Sequence, residues 1–229
     1  MSEALRASVR TALRLAAFTA GTAAVLAAVH LATREPIEIE QRRAERAALS
    51  ALLPASGFDN DPVLDSVRIV APEGLGDDRP RLVRRARLGG APVAAVLSVV
   101  AVDGYAGPIE LLVGVRADGT VVGVRVVSHR ETPGLGDPIE KERSDWIDGF
   151  AGRALGDPPA ERWRVRRDGG DFDQFAGATI TPRAVVGAVR RALTWFGENQ
   201  ERVFGDPGMA LERARGTGPR AQTSAEARR

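Results

Sequence analysis

Residues 109–129, IELLVGVRADGTVVGVRVVSH, contain two valine-rich runs on either side of Ala117-Asp118-Gly119-Thr120. An Asp-Gly pair between alternating apolar runs is a strong signal for a tight turn joining two antiparallel strands. Upstream, Ser66–Val70, Arg81–Leu88 and Val93–Val102 are short, β-branched or alternating segments that read as further strands. In Arg81–Leu88 the alternation sets Leu82, Arg84 and Ala86 against Val83, Arg85 and Arg87, so one face is expected to be basic. Downstream, Val185, Ala188, Val189, Ala192, Leu193 and Phe196 recur at helical spacing. Strands in a run, then helices, with no repeating βαβ unit, define an α+β fold with an antiparallel sheet and flanking helices.

Between hairpin and final helix, Asp137-Pro138 reads as N-cap and N1 of a helix, with Glu140 at N3 in a capping-box arrangement. Ile139, Trp146, Ile147 and Phe150 then fall on its core side, and Trp163-Arg164-Val165 reads as one more strand.

The N-terminal part has a different character. Leu15–Thr33, LAAFTAGTAAVLAAVHLAT, carries no charge and is bracketed by Arg14 and Arg34. About 20 predominantly apolar residues suffice to span a bilayer. The run exceeds the signal-peptide core of about 7–15 residues, and no A-x-A site lies near its end, so an uncleaved anchor is expected. Arg6, Arg10 and Arg14 precede it while Arg34, Arg42, Arg43 and Arg46 follow, which leaves the orientation open by charge alone. Gly21 and the many alanines suit close packing against partner helices. Residues 35–53 read as a charged amphipathic helix stopping before Pro54, and residues 205–229 as a disordered tail. The expected organisation is an N-terminus (1–14), a transmembrane helix (15–33), a connecting helix and linker (34–62), one domain (63–204) and the tail (205–229).

Composition narrows the chemistry. The 229 residues are 44% hydrophobic and 27% charged, with a formal charge of +2, and Lys141 is the sole lysine. No basic stripe with interleaved aromatics is present, which argues against a nucleic-acid partner. The chain has no cysteine, so disulfides, thiolate metal sites and thiol nucleophiles are excluded. With only His30 and His129, a histidine metal centre is not expected either. Any redox chemistry falls to an organic cofactor.

Two loops collect the candidate functional groups. In Asp171–Val186, DFDQFAGATITPRAVV, Thr181 reads as N-cap and Pro182 as N1 of the last helix. Gly177 and Ala178 allow close backbone approach, and Thr179 stands where helix N–H groups favour an anion. Such a turn can hold a phosphate by hydrogen bonds, or by an ester through the threonine oxygen, with Asp173 nearby to bind a metal during attachment or to orient a hydroxyl. A plain helix-capping loop is the simpler alternative. The second loop, Ser128–Asp137, gathers His129, Glu131, Thr132, Gly134 and Gly136, a mixture that suits a pocket edge better than a connection. It lacks the third glycine of a dinucleotide fingerprint. A hydrolase using His129 with Thr179 or Ser128 lacks both a G-x-S-x-G elbow and a third member.

Taken together and in this order, the loops resemble the FMN-binding domain family shared by the G subunit of the ion-translocating Rnf electron transport complex and the C subunit of the sodium-translocating NADH:quinone reductase. The family pattern is Asp, two variable residues, Ser or Thr, Gly, Ala, then Ser or Thr; here it is Asp173-Gln174-Phe175-Ala176-Gly177-Ala178-Thr179. Ala176 departs from it, standing where a hydroxyl is usual. GYAGPIELLVGV, VVGVRVVSHRETPGLGD, SDWIDGF and FDNDPVL, with the anchor, look more like the Rnf member of the pair. By this resemblance FMN is joined through a phosphoester to Thr179 by a flavin transferase, Gly177 and Ala178 shape its approach, and the second loop borders it. The domain after the anchor faces the periplasm and residues 1–14 the cytoplasm of a bacterial inner membrane. The resemblance implies an electron carrier among other membrane and peripheral subunits, a phosphoprotein inactive as an isolated oxidoreductase. A cofactor-free, membrane-anchored assembly module is the alternative from another class.

Overall fold

The structure, a computed structural model, describes residues 3–53 and 57–205, with side chains for 12–34, 49, 51–53 and 57–205. The expected disordered tail from 206 onward lies outside the described residues. Two compact units divide at Ala47/Ala48.

In the first unit the chain is helical from Glu3, as part of α1 (Glu3–Ala51). Anchor and connecting segment are thus one continuous helix, not two, and Pro36 does not end it. Ala12–Arg34 is long and apolar enough to cross a membrane, with mean hydropathy 1.8 over its most apolar stretch. At about 1.5 Å per residue its 23 residues exceed a hydrocarbon core of about 30 Å. Leu15, Phe18, Leu26 and Leu31 are exposed along it. The hydroxyls of Thr19, Thr22 and Thr33 donate to the carbonyls of Leu15, Phe18 and Val29 one turn back, so none of these polar hydrogens is left unpaired. The side chains that would show whether residues 35–48 are amphipathic lie outside those described.

The second unit is a five-stranded antiparallel meander, in the order β1-β2-β3-β4-β5: β1 (Ser66–Ile69), β2 (Arg81–Leu88), β3 (Ala91–Ala101), β4 (Ile109–Arg116) and β5 (Val121–Ser128). The expected hairpin is β4–β5. Its turn closes with Arg116 N–H donating to Thr120 O (2.8 Å), Gly119 takes φ +89°, and the Asp118 carboxylate accepts from Thr120 N–H. A short helix, α2 (Pro72–Leu75), follows β1, and α3 (Ile180–Glu198) and α4 (Gln200–Phe204) end the described chain.

Period-two alternation divides the sheet into two apolar faces. Ala95, Leu97, Val99 and Ala101 of β3, with Ile109, Leu111, Val113 and Val115 of β4, join the main core under α3. Every residue of the expected α3 stripe is buried there, joined by Ala184, Val186 and Trp195. On the opposite face Ala86, Ala94, Val96 and Leu112 meet Leu49, Leu52 and Leu53, with Phe58 partly buried beside them. The chain before residue 63 therefore contributes to the folded unit rather than serving only as a linker. Leu52 is seated where β4 and β5 pair Gly114 with Gly123. A Cβ at Gly114 would lie 2.3 Å from the Leu52 carbonyl oxygen.

Three local expectations change. The Asp137 helix is two 3₁₀ turns, Asp137–Ile139 and Asp145–Phe150, because Ser144 breaks the run and caps the second turn through Trp146 N–H (3.2 Å). The capping box does not form, since Asp137 accepts from Gly134 N–H and Glu140 is engaged by His129. Residues 163–165 pair only through a single Val165–Phe172 bridge. The arginines of β2 lie inside the unit: Arg84 and Arg85 are each 8% exposed, Arg85 and Arg87 both pair with Asp65, and these two donate to carbonyls of Val203, Phe204 and Gly205.

Leu52→Ala is expected to destabilise the folded unit by about 2–5 kcal/mol, since it empties a fully buried site. Gly114→Ala should destabilise it too, by displacing the Leu52 backbone. Denaturant unfolding of the detergent-solubilised chain, followed by tryptophan fluorescence, checks both.

Candidate functional site

Three segments converge at one end of the sheet: the β3–β4 loop, the loop after β5, and the entry to α3. The loop after β5 is fixed from within. The Thr132 carbonyl accepts from Leu135 and Gly136 N–H (3.1 and 3.0 Å), and Gly134 sits at φ +79° with its N–H on Asp137. His129 Nδ1 accepts from Glu131 N–H (3.0 Å), which leaves the ring proton on Nε2 to donate to Glu140 (2.8 Å). His129 thus shapes the loop from behind.

Glu131 is the point of convergence. Only 4% exposed, it accepts from Ala106 N–H (3.0 Å) with one oxygen and from the buried Thr181 hydroxyl with the other. The packing around it excludes side chains: a Cβ at Gly136 would lie 2.8 Å from Glu131 Cβ, and one at Gly104 would lie 3.0 Å from its carboxylate.

The entry to α3 is held on an aromatic floor. Phe172 stacks on Phe150 at 4.7 Å between centroids, and Phe175 meets Trp146 edge-on at 5.2 Å. Trp146 Nε1–H donates to the Asp173 carbonyl (2.8 Å). Ala178 N–H closes a turn onto Phe175 O (3.2 Å), and Gly177 at φ +79° occupies the position only glycine takes easily. The helix starts at Ile180 with Thr179 as N-cap, two residues earlier than the Thr181–Pro182 pair indicates. Thr181 does not cap because its hydroxyl is committed to Glu131. Thr179 makes no side-chain capping bond, so its hydroxyl is not spent on the helix.

A cavity of about 340 Å³ opens between these segments, within the range of about 300–1,000 Å³ usual for ligand sites. Of the sequence-derived candidates, Glu131, Thr132, Gly136, Gly177, Ala178, Thr179 and Thr181 line it. His129, Gly134 and Asp173 do not; Asp173 is exposed and paired with Arg166 at 2.9 Å. Tyr105, Leu135 and Ile180 also line it, and sequence reasoning misses them. Leu135 and Ile180 are within its reach, since they sit inside the two candidate loops. Tyr105, 68% exposed, gives no periodic signal. Such a glycine-cradled cavity, with a hydroxyl free of capping bonds at a helix N-terminus, can admit a small ligand bearing an anionic group.

The cavity, its glycine turns and the sheet-plus-helix frame are those of a ligand-binding module that follows an apolar helix in the chain. Consistent with that class, the FMN-binding domain family matches residues 104–194, and the RnfG N-terminal region family matches residues 1–52. The chain is 50% identical over 199 residues to the G subunit of the ion-translocating oxidoreductase complex of Pseudomonas aeruginosa, covering 87% of this chain and 93% of that one. It is 50% identical over 184 residues to the corresponding protein of Cereibacter sphaeroides (80% and 82% covered), and 40% over 203 residues to that of Vibrio atlanticus (89% and 97%). The chain belongs to the family of G subunits of ion-translocating oxidoreductase complexes.

Arg183, in the first turn of α3, grips Asp168 with two bonds (2.6 and 2.9 Å) and so ties the preceding loop to the helix. That hydrogen bonding holds the Asp168 carboxyl below its usual range. A depressed folded value means stability that is present above the unfolded value of about 3.9 and lost as pH falls through the folded one. Asp168→Asn is therefore expected to lower the melting temperature slightly at pH 7. Melting curves across pH should show that difference vanish on acidification below the carboxylate range.

Proposed function

We propose that this chain is an electron-carrying subunit of a membrane-bound, ion-translocating oxidoreductase complex, holding FMN in the cavity through a phosphoester to Thr179. The observation that carries the reading is the uncommitted hydroxyl of Thr179 at the N-terminus of α3, on the wall of the cavity. The names of its relatives, G subunits of ion-translocating oxidoreductase complexes, support membership of such a complex. FMN supplies reversible one- or two-electron chemistry when bound; the protein supplies position and field.

The individual residues take definite parts in this reading. Thr179 provides the ester oxygen, and the free N–H groups and dipole of α3 offset the phosphate charge, by about 0.3–1 kcal/mol in exposed settings. Gly177 and Ala178 keep the approach to that oxygen clear, Gly136 leaves room for Glu131 and Thr181, and Thr132 lines the same cavity. His129 and Gly134 hold the second loop in shape. Asp173, outside the cavity, serves attachment rather than retention, by binding a metal or orienting a hydroxyl for the flavin transferase.

A tethered cofactor cannot dissociate, which suits a carrier whose domain faces the periplasm from a single-pass inner-membrane anchor. Residues 1–14 then lie in the cytoplasm, residues 15–33 cross the membrane, and residues 63–204 hold the flavin. Ion movement and the nicotinamide chemistry belong to other membrane and peripheral subunits, so the isolated chain is inactive as an oxidoreductase.

In-gel flavin fluorescence of denatured protein, from cells containing a flavin transferase, tests the assignment. A fluorescent band is expected in the wild type and in Thr181→Ala, and none in Thr179→Ala; mass spectrometry then locates the ester. An unlabelled wild type beside a labelled control protein would overturn covalent attachment.

A further inference from the structure

Among the described residues lining the cavity, Glu131 alone carries a formal charge. Its carboxylate is buried at the junction of all three segments, and its two bonds come from neutral donors, the Ala106 N–H and the Thr181 hydroxyl. Among the described residues it forms no ion pair. The fold also commits several positions to keeping it there. Gly136 is pressed against its side chain, where a Cβ would lie 2.8 Å from Glu131 Cβ and 2.9 Å from its carboxylate. The amide of Glu131 itself is held by His129, whose ring is fixed in turn by Glu140. A buried carboxylate with no ion pair among the described residues is costly to keep charged, and a neutral glutamine would fill the same space without that cost.

We infer that Glu131 is an electrostatic control residue of the site, a fixed negative charge that makes a redox ligand in this cavity harder to reduce. The inference rests on the FMN reading above. Adding electrons to a bound ring adds negative charge to a confined site, and a carboxylate at its wall opposes that addition far more strongly than it would in water. The N-terminus of α3 acts in the opposite sense, but its dipole amounts to only about half a charge and acts within the first turn, where the phosphate would meet it. The hydroxyl of Thr181 tempers the carboxylate by donating to it. The pair therefore predicts shifts of opposite sign from two substitutions: loss of the charge should raise the reduction potential, and loss of the hydroxyl should lower it.

The test is a potentiometric titration of the purified, flavin-loaded full-length chain in detergent, with dithionite as reductant and redox mediators present. It follows flavin absorbance, at mildly alkaline pH, through the two-electron, one-proton reduction that leaves the ring with one added negative charge. Glu131→Gln keeps the size of the side chain and removes the charge; its midpoint is expected to move to more positive potential. Thr181→Val keeps the carboxylate and removes the donor; its midpoint is expected to move to more negative potential. Loaded Glu131→Gln with the wild-type midpoint would overturn the inference. Should that variant not load, Thr181→Val decides alone: an unchanged or more positive midpoint overturns the inference and a more negative one supports it. A wild type that carries no flavin at all is a different failure, that of the cofactor reading itself.

Discussion

The hydrogen bond from Thr181 to Glu131 joins residues fifty positions apart and brings the start of α3 against the loop that leaves β5. A third segment is drawn in when the other carboxylate oxygen takes the Ala106 N–H, so one buried side chain fixes the walls of the cavity. The sheet and α3 form the frame, held by the large apolar interface between them, but that interface alone does not set where the loops end. A buried carboxylate with both oxygens engaged does, because an unengaged one would be expensive in that environment. The glycine at 136 follows from the same requirement, since the Glu131 side chain fills the space a side chain there would need.

Regular elements were legible in the sequence because their signals are local. The β4–β5 hairpin announces itself through valine alternation and Asp-Gly, and α3 through an apolar stripe every three or four residues. What escaped depends on partners remote in sequence. Thr181-Pro182 looks like a helix start, yet the helix begins at Ile180 because the Thr181 hydroxyl is bound to Glu131 instead of capping. Asp137 and Glu140 look like a capping box, but each is taken by another loop residue. The β2 arginines read as a basic face, and only the folded chain places Asp65 and the carbonyls at the end of α4 beside them. The candidate site was partly legible for a similar reason: glycine-rich, hydroxyl-bearing loops stand out, whereas a tyrosine such as Tyr105 carries no pattern until its loop is folded over the cavity.

The second unit includes the end of α1. The last residues of that helix and the turn after it insert Leu49, Leu52 and Leu53 under the sheet, where paired glycines on β4 and β5 leave room for Leu52. Burial of these three leucines makes the end of the helix part of the fold.

Ala176 is the one departure from the attachment pattern, and its setting defines what the departure affects. It lies in the turn closed by Ala178 onto Phe175. That turn is fixed by Gly177 and by the aromatic floor beneath Phe175, neither of which calls on the side chain at 176. The absence of a hydroxyl there therefore costs the fold nothing. Within the proposed reading, the consequence falls on the rate at which the ester forms or on one hydrogen bond to the phosphate. The shape of the cavity and the position of Thr179, which are set by Glu131, Thr181 and the α3 frame, do not depend on it.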